Sequence, residues 1–327
     1  MKVLVTGGAG YIGTPLCTEL CRDHEVVCWD SGFFGFHFDP QEPGPRIIQR
    51  RVQELDEAAF RSLAPDVVLH LSGLSNDPMA DFAPRLNWAE NTEATGQLAR
   101  LAARAGTRFV LASSASVYGF SPGGELDESA AIAPIGHYSE SKAAAERLVE
   151  TELADAVILR QATVMGVSRR MRFDLLTNGM TRSACVHGKL RVLYGGREVR
   201  AQVHVRDLVR AYQAVLEHPA LRGTFNVASI NDRVLDLGES IRDHLRSAGR
   251  RVELDVTDEP RKHRSYALSS QKLVQATGWT PQVTVLEAVD ELARLVDGLP
   301  DPFDLRFDNI GWMKSVLRDD ERLEGAT

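Results

Sequence analysis

The sequence is short of cysteine, aromatic residues and long apolar runs, and neither sign of charge dominates it. Cys17, Cys21, Cys28 and Cys185 form no Cys-x-x-Cys pair. Cys17 and Cys21 have the spacing of one helix face, but no histidine or second cysteine pair completes a metal set. Buried, reduced thiols and no metal are therefore expected, and a disulfide-stapled scaffold is excluded. No run of about 18 apolar residues occurs, which excludes a spanning helix and gives no membrane partner to expect. Met1 to Gly7 carries neither a basic leader nor a small-residue cleavage site, so a cytoplasmic protein is expected. With 38 basic against 45 acidic residues and a net charge of -7, the chain lacks the basic excess that neutralises phosphate backbones. No nucleic acid is expected as a partner.

What is present is ordinary for a globular chain: 327 residues, 43% hydrophobic and 25% charged. That length suits about two domains, or one large α/β domain with an insertion. Short apolar runs recur at Val3–Val5, Val26–Trp29, Arg46–Ile48, Val67–Leu71, Phe109–Ala112 and Val157–Leu159. Between them lie stretches of helical periodicity, among them Leu16–Leu20, Leu98–Ala105 and Ala143–Leu153. Continuous apolar strands alternating with helices predict an α/β fold, a doubly wound parallel sheet covered on both faces. Later in the chain, strands are expected at Val199–Val205, Thr224–Val227 and Val252–Val256, and helices at Asp174–His187, Asp207–Glu217 and Val285–Val296.

Gly7, Gly10 and Gly13 follow the first strand and open the first helix, the context of a dinucleotide-binding turn. Glycine lets the backbone approach a pyrophosphate, and the helix N-terminus offers that anion free N–H groups and a partial positive charge. Asp30, about 20 residues downstream at the end of the second strand, can accept hydrogen bonds from the adenosine ribose and would repel a 2′-phosphate. A Rossmann unit preferring NAD is predicted.

The fifth strand ends in Ser113-Ser114-Ala115-Ser116-Val117-Tyr118-Gly119, and Tyr138 with Lys142 follows on a helix. A Tyr-x-x-x-Lys alone is often a surface tyrosine and a solvated lysine. At i, i+4 the two share one face, where an ammonium can draw a phenol down from about 10 toward neutrality. Such a phenolate is a general base for a hydroxyl, and Ser114 would bind the same oxygen.

Together these features resemble the extended short-chain dehydrogenase/reductase superfamily, and within it the NAD-dependent epimerase/dehydratase family of UDP-galactose 4-epimerase-like enzymes, over residues 1 to about 290. The resemblance implies catalysis by Ser114, Tyr138 and Lys142. It implies NAD held by Gly7, Gly10, Tyr11, Ile12, Gly13, Asp30, Val52, Leu71, Ser75 and Asn91, with Tyr138 and Lys142. It implies a nucleotide-diphosphate sugar as partner, met by Ser116, Thr163, Arg172, Arg200 and Arg264. The Arg169–Arg172 run is either part of the diphosphate clamp or a solvated basic loop.

Departures from the family pattern narrow the chemistry. The sugar 4,6-dehydratases carry Asp-Glu where this chain has Ala115 and Ser116, and the decarboxylases a Glu at the position of Ser116. Both activities are disfavoured. Thr163 replaces a usual Asn, and Arg51 stands where an acid often meets adenine. The expectation is an NAD-dependent sugar-nucleotide epimerase acting at C4 through a 4-keto intermediate; a ketoreductase or dehydrogenase on a nucleotide-linked keto sugar is the alternative. A non-catalytic NAD-binding regulator is disfavoured by the intact Ser114, Tyr138 and Lys142. A homodimer is expected through the helix of Tyr138 and the one around Asn91–Ala105. The implied division places residues 1–165, with about 190–230, in the NAD-binding domain. It places about 166–189 and 231–300 in a smaller α/β substrate-binding lobe, and 301–327 in a C-terminal tail.

Overall fold

The structure, a computed structural model, describes residues 1–258 and 264–319. In chain order the first half forms β1 (Lys2–Thr6), α1 (Gly13–Leu20), β2 (Glu25–Asp30), β3 (Arg46–Gln49), α2 (Glu57–Leu63), β4 (Val67–His70), α3 (Asp77–Phe82), α4 (Pro84–Trp88), α5 (Ala94–Ala105), β5 (Arg108–Ser114), β6 (Phe120–Leu126), α6 (His137–Glu152) and β7 (Val157–Gln161). The second half adds β8 (Thr163–Met165), α7 (Leu176–His187), β9 (Lys189–Val192), β10 (Val199–His204), α8 (Val205–Glu217), β11 (Gly223–Val227), β12 (Ile230–Arg233), α9 (Val234–Ser247), β13 (Glu253–Val256), β14 (Ser265–Leu268), α10 (Gln271–Thr277), α11 (Val285–Gly298) and α12 (Asn309–Asp319). Among the described residues no helix is long and apolar enough to cross a membrane.

The main sheet has seven strands in the order β11-β7-β5-β4-β1-β2-β3, every pair parallel. All six strands expected in the first half of the chain belong to it. Their side chains alternate between two cores: Val3 and Val5 pack with Leu16 of α1 and Leu208 of α8, while Leu4 packs with Phe60 of α2 and Leu98 of α5. A strand covered on both faces has no polar side to show, which is why these runs are continuously apolar. The chain leaves β1 in one direction and β4 in the other, so their C-terminal ends part to form a crevice.

A second sheet runs β12-β10-β14-β6, with β8 paired to β10. Val199–His204, expected to return to the first domain, lies here instead, with Gln202 beside Thr163 and Ile230. The edge beyond β7 is taken by β11, through Thr224 beside Ile158, so the return is made by α8 and β11. Lys189–Val192 pairs with β13, and Leu190 and Val192 join Leu237, Ile241 and Val289 in a separate core beneath α7, α9 and α11.

The stretch expected as a C-terminal tail is docked along its described part; residues 320–327 lie outside the described residues. The Phe173 N–H donates to the Phe307 carbonyl at 2.9 Å, and Met313 is fully buried against Leu74 and Met79. The Trp312 indole N–H donates to the Phe33 carbonyl at 2.7 Å, pinning α12 over the loop after β2.

Candidate active site

The ends of β1 and β4 open on a cavity of about 580 Å³. Gly7 turns with φ +74°, and a Cβ there would stand 2.5 Å from the Ser72 nitrogen, so the turn after β1 and the segment after β4 touch backbone to backbone. At Gly13 a Cβ would run into the Gly7 carbonyl oxygen. No side chain caps α1, and Gly10, Tyr11, Ile12 and Gly13 line the cavity, which leaves first-turn N–H groups and the positive end of the helix facing it. Asp30 accepts from Ala9 N–H at 3.0 Å through one carboxylate oxygen and from Gly32 N–H at 2.8 Å through the other. Burial raises its pKa, and those two N–H groups and Arg170 pull against the rise. The carboxylate is held in one orientation with a lone pair on each oxygen to spare. An anion cradle at a helix end and an oriented acid at the neighbouring strand end fit the diphosphate and adenosine ribose of NAD.

Leu71 and Ser75 also line this cavity. Val52 and Asn91 do not: Val52 is buried beneath, and Asn91 is committed to the protein itself. The Asn91 amide accepts from Leu74 N–H at 2.8 Å and donates to the Leu74 carbonyl at 2.9 Å, the Asn87 side chain at 2.8 Å and Ser141 at 3.0 Å. It brackets the segment after β4 against α6. Arg51, in the place of the missing acid, lines the cavity and pairs with Glu90 at 2.5 Å.

At the other end of the cavity, Ser114 closes β5 and its Oγ accepts from Ser116 N–H at 3.2 Å, starting a single 3-10 turn. Tyr138, in the first turn of α6, faces the cavity beside Ser114. Burial raises the Tyr138 pKa; the Ser114 hydroxyl, Arg172 and Arg264 pull it down, and Asp77 pushes it up. The downward pull expected from Lys142 is thus supplied by other groups, and burial outweighs it. Lys142 stands one turn along, 6% exposed and behind the cavity wall. Burial draws its pKa down to about 8 against the opposing pull of Glu146. Ser116 presents a buried hydroxyl with no partner among the described residues, and Thr163 lines the same wall.

The arginines divide unexpectedly. Arg172 lines the cavity with its charge matched, donating to Asp174 at 2.9 and 2.7 Å and to Ser75 at 2.8 Å. Arg264 lines it as well, paired with Asp77 and bonded to the Ile135 carbonyl at 2.8 Å. Arg200 is partly buried behind them and is not part of the wall. Within the Arg169–Arg172 run, Arg169 is a surface residue paired with Asp39 and Glu42, whereas Arg170 is 2% exposed in the cavity wall. Asp77 and Asp174 were missed; Asn76-Asp77-Pro78 carries the marks of a helix start, and Asn76 does cap α3.

A parallel sheet with a glycine turn, an acid after β2 and a Ser, Tyr and Lys set at the strand ends defines an extended short-chain dehydrogenase/reductase. Over residues 3–228 the chain matches the NAD dependent epimerase/dehydratase family and belongs to it. It is 29% identical over 283 residues to an uncharacterised UDP-glucose epimerase of Bacillus subtilis, covering 79% of this chain and 86% of that protein. With the dTDP-D-glucose 4,6-dehydratase of Mus musculus it shares 25% over 315 residues, 88% of this chain and 86% of the relative. The solved structure of MoeE5 in complex with UDP-glucuronic acid and NAD superposes with a TM-score of 0.77 at 25% identity, over 91% of this chain and 99% of that one. The protein is an NAD-dependent enzyme.

Proposed function

We propose that the protein is a nucleotide-sugar epimerase that inverts C4 through a transient 4-keto sugar. The observation that carries this reading is Tyr138, facing the same cavity as Ser114, the glycine turn and Asp30. Bound in this cavity, NAD would supply the acceptor and donor of the sugar-carbon hydride. Tyr138 removes the hydroxyl proton while Ser114 orients the reacting oxygen. Arg172 and Arg264 supply positive charge toward the phenol oxygen, and Lys142 holds the nicotinamide ribose. Ser116, with its unpartnered hydroxyl, and Thr163 bind the sugar. Arg172 and Arg264, with Arg200 behind them, hold the diphosphate. The parallel-sheet domain carries NAD and the lobe built on α7, α9 and α11 carries the nucleotide. Positions 115 and 116 hold Ala and Ser, which supports epimerisation over elimination of water. A cytoplasmic homodimer through α5 and α6 belongs to the same reading.

Purified protein incubated with UDP- and dTDP-hexoses, without added cofactor, is expected to interconvert C4 epimers, followed by proton NMR. Tyr138→Phe should lower kcat by about 10²–10⁴, with the NAD content unchanged. Turnover that consumes one NADH per sugar would replace the epimerase with a ketoreductase.

A further inference from the structure

Among the described residues, Arg170 is the buried cation in the cavity wall that is left unmatched. Its Nε and Nη2 have no hydrogen-bond partner among the described residues, and its Nη1 makes one long contact of 3.4 Å to the Met171 carbonyl. The neighbouring acids are engaged elsewhere: both Asp174 oxygens take Arg172, one of them Asn76 as well, and both Asp30 oxygens take backbone N–H groups. Phe34 holds the guanidinium flat, 4.1 Å from its ring centroid, which supports a cation from one side and supplies no acceptor. Burying a guanidinium beside a second arginine with no hydrogen-bonded anion is costly, so the site is completed by an acceptor that carries negative charge.

The position says which anion. The segment bearing Arg170 is stitched to the glycine turn: the Tyr11 hydroxyl donates to the Gly166 carbonyl at 2.5 Å, and the Ser168 hydroxyl donates to the Tyr11 carbonyl at 2.7 Å. Arg170 also lies over Phe34 of the loop after β2, the strand that ends in Asp30. It therefore stands in the adenosine half of the cavity, away from the reacting hydroxyl. In that half the uncapped N-terminus of α1 already faces the cavity.

We propose that Arg170 grips the cofactor's own diphosphate, donating through Nε and Nη2 to one side of the anion while the N–H groups of Tyr11 and Ile12 hold the other. Retention of NAD between turnovers then depends on a group from the segment after β8 and not on the glycine turn alone. The assignment rests on NAD binding and is independent of which sugar carbon reacts.

The test uses binding of ADP, adenosine and 2′,5′-ADP to nucleotide-stripped protein by calorimetry, with the NAD content of freshly purified protein as a second readout. Arg170→Met keeps the apolar stem against Phe34 and removes the charge. It should weaken ADP binding by about 10- to 100-fold, leave adenosine within about twofold, and lower the retained NAD. Arg170→Lys, a charge without the fork, should fall between the two. Equal losses for ADP and adenosine would mean that Arg170 merely shapes the pocket. A wild-type preference for 2′,5′-ADP over ADP that Arg170→Met abolishes would move the contact to the ribose phosphate. Unchanged ADP binding with weakened UDP-sugar binding would give the residue to the substrate. Each of these three outcomes overturns the proposal. A melting curve without nucleotide shows that the variant is folded, and failure of the epimerase assay leaves every arm readable.

Discussion

Arg160 on β7 and Arg170 beyond β8 are 7% and 2% exposed, yet every guanidinium nitrogen of the first has a partner and two of the second have none. Arg160 donates to Glu146 through Nε at 3.1 and 3.2 Å and through Nη2 at 2.8 Å, and its Nη1 reaches the Tyr118 hydroxyl at 2.9 Å. Ser113 also donates to Glu146. Burial pushes the pKa of both guanidiniums down; at Arg160 the Glu146 carboxylate outweighs it and the pKa rises, while that of Arg170 is lowered to about 9. Burial alone does not tell a structural charge from a functional one. The count of satisfied N–H groups does, because a folded chain that can supply an acceptor normally supplies it.

The largest effect should come from breaking the closed pair. Glu146→Ala strands Arg160 and should cost about 3–5 kcal/mol, read from the urea midpoint. A loss below about 1 kcal/mol would put the pair in the class of surface bridges and erase the contrast. Removing the bare charge should act the other way. Without nucleotide, Arg170→Met should be as stable as the wild type or gain up to about 2 kcal/mol; a loss comparable to that of Glu146→Ala would show that Arg170 has a protein partner after all.

A buried but neutral group gives the smallest effect. His70 sits between the Thr6 and Thr95 hydroxyls at 2.6 and 2.8 Å, and burial, aided by Lys142, lowers its pKa from 6.5 to about 3. The unfolded chain binds a proton at His70 below pH 6.5 and the folded chain does not until about pH 3, so the contribution is full above 6.5 and is lost as pH falls through that window. Between pH 6.5 and about 5.5 the loss should be about 1 kcal/mol, and His70→Gln should flatten that part of the stability profile. An unaltered acid slope would mean that His70 is protonated in the fold.

What was legible in the sequence is what short-range chemistry determines. Apolar runs marked the strands of the main sheet because both faces are covered, and the glycine turn, Asp30, Ser114, Tyr138 and Lys142 sit at spacings that the strand ends and one helix turn impose. What was illegible depended on distant partners. Asn91 could not be seen to be used up by Leu74, Asn87 and Ser141, nor Arg170 to be buried while Arg169 is not. The partner of β10 was misjudged because pairing is decided by which sheet edge is free. The spacing of Phe307, Ile310, Met313 and Leu317 carried a helical stripe that could have redeemed the supposed tail.

That last helix has a consequence for how the enzyme is made. The cavity that begins with Gly7 also has Asn309, Val316 and Leu317 in its wall, so its two sides are contributed by segments far apart in the sequence. During synthesis the glycine turn leaves the ribosome first, and the pocket has no complete wall until residue 317 has followed it. A cavity with both walls in place therefore exists only once α12 has been made, and not when the glycine turn first folds.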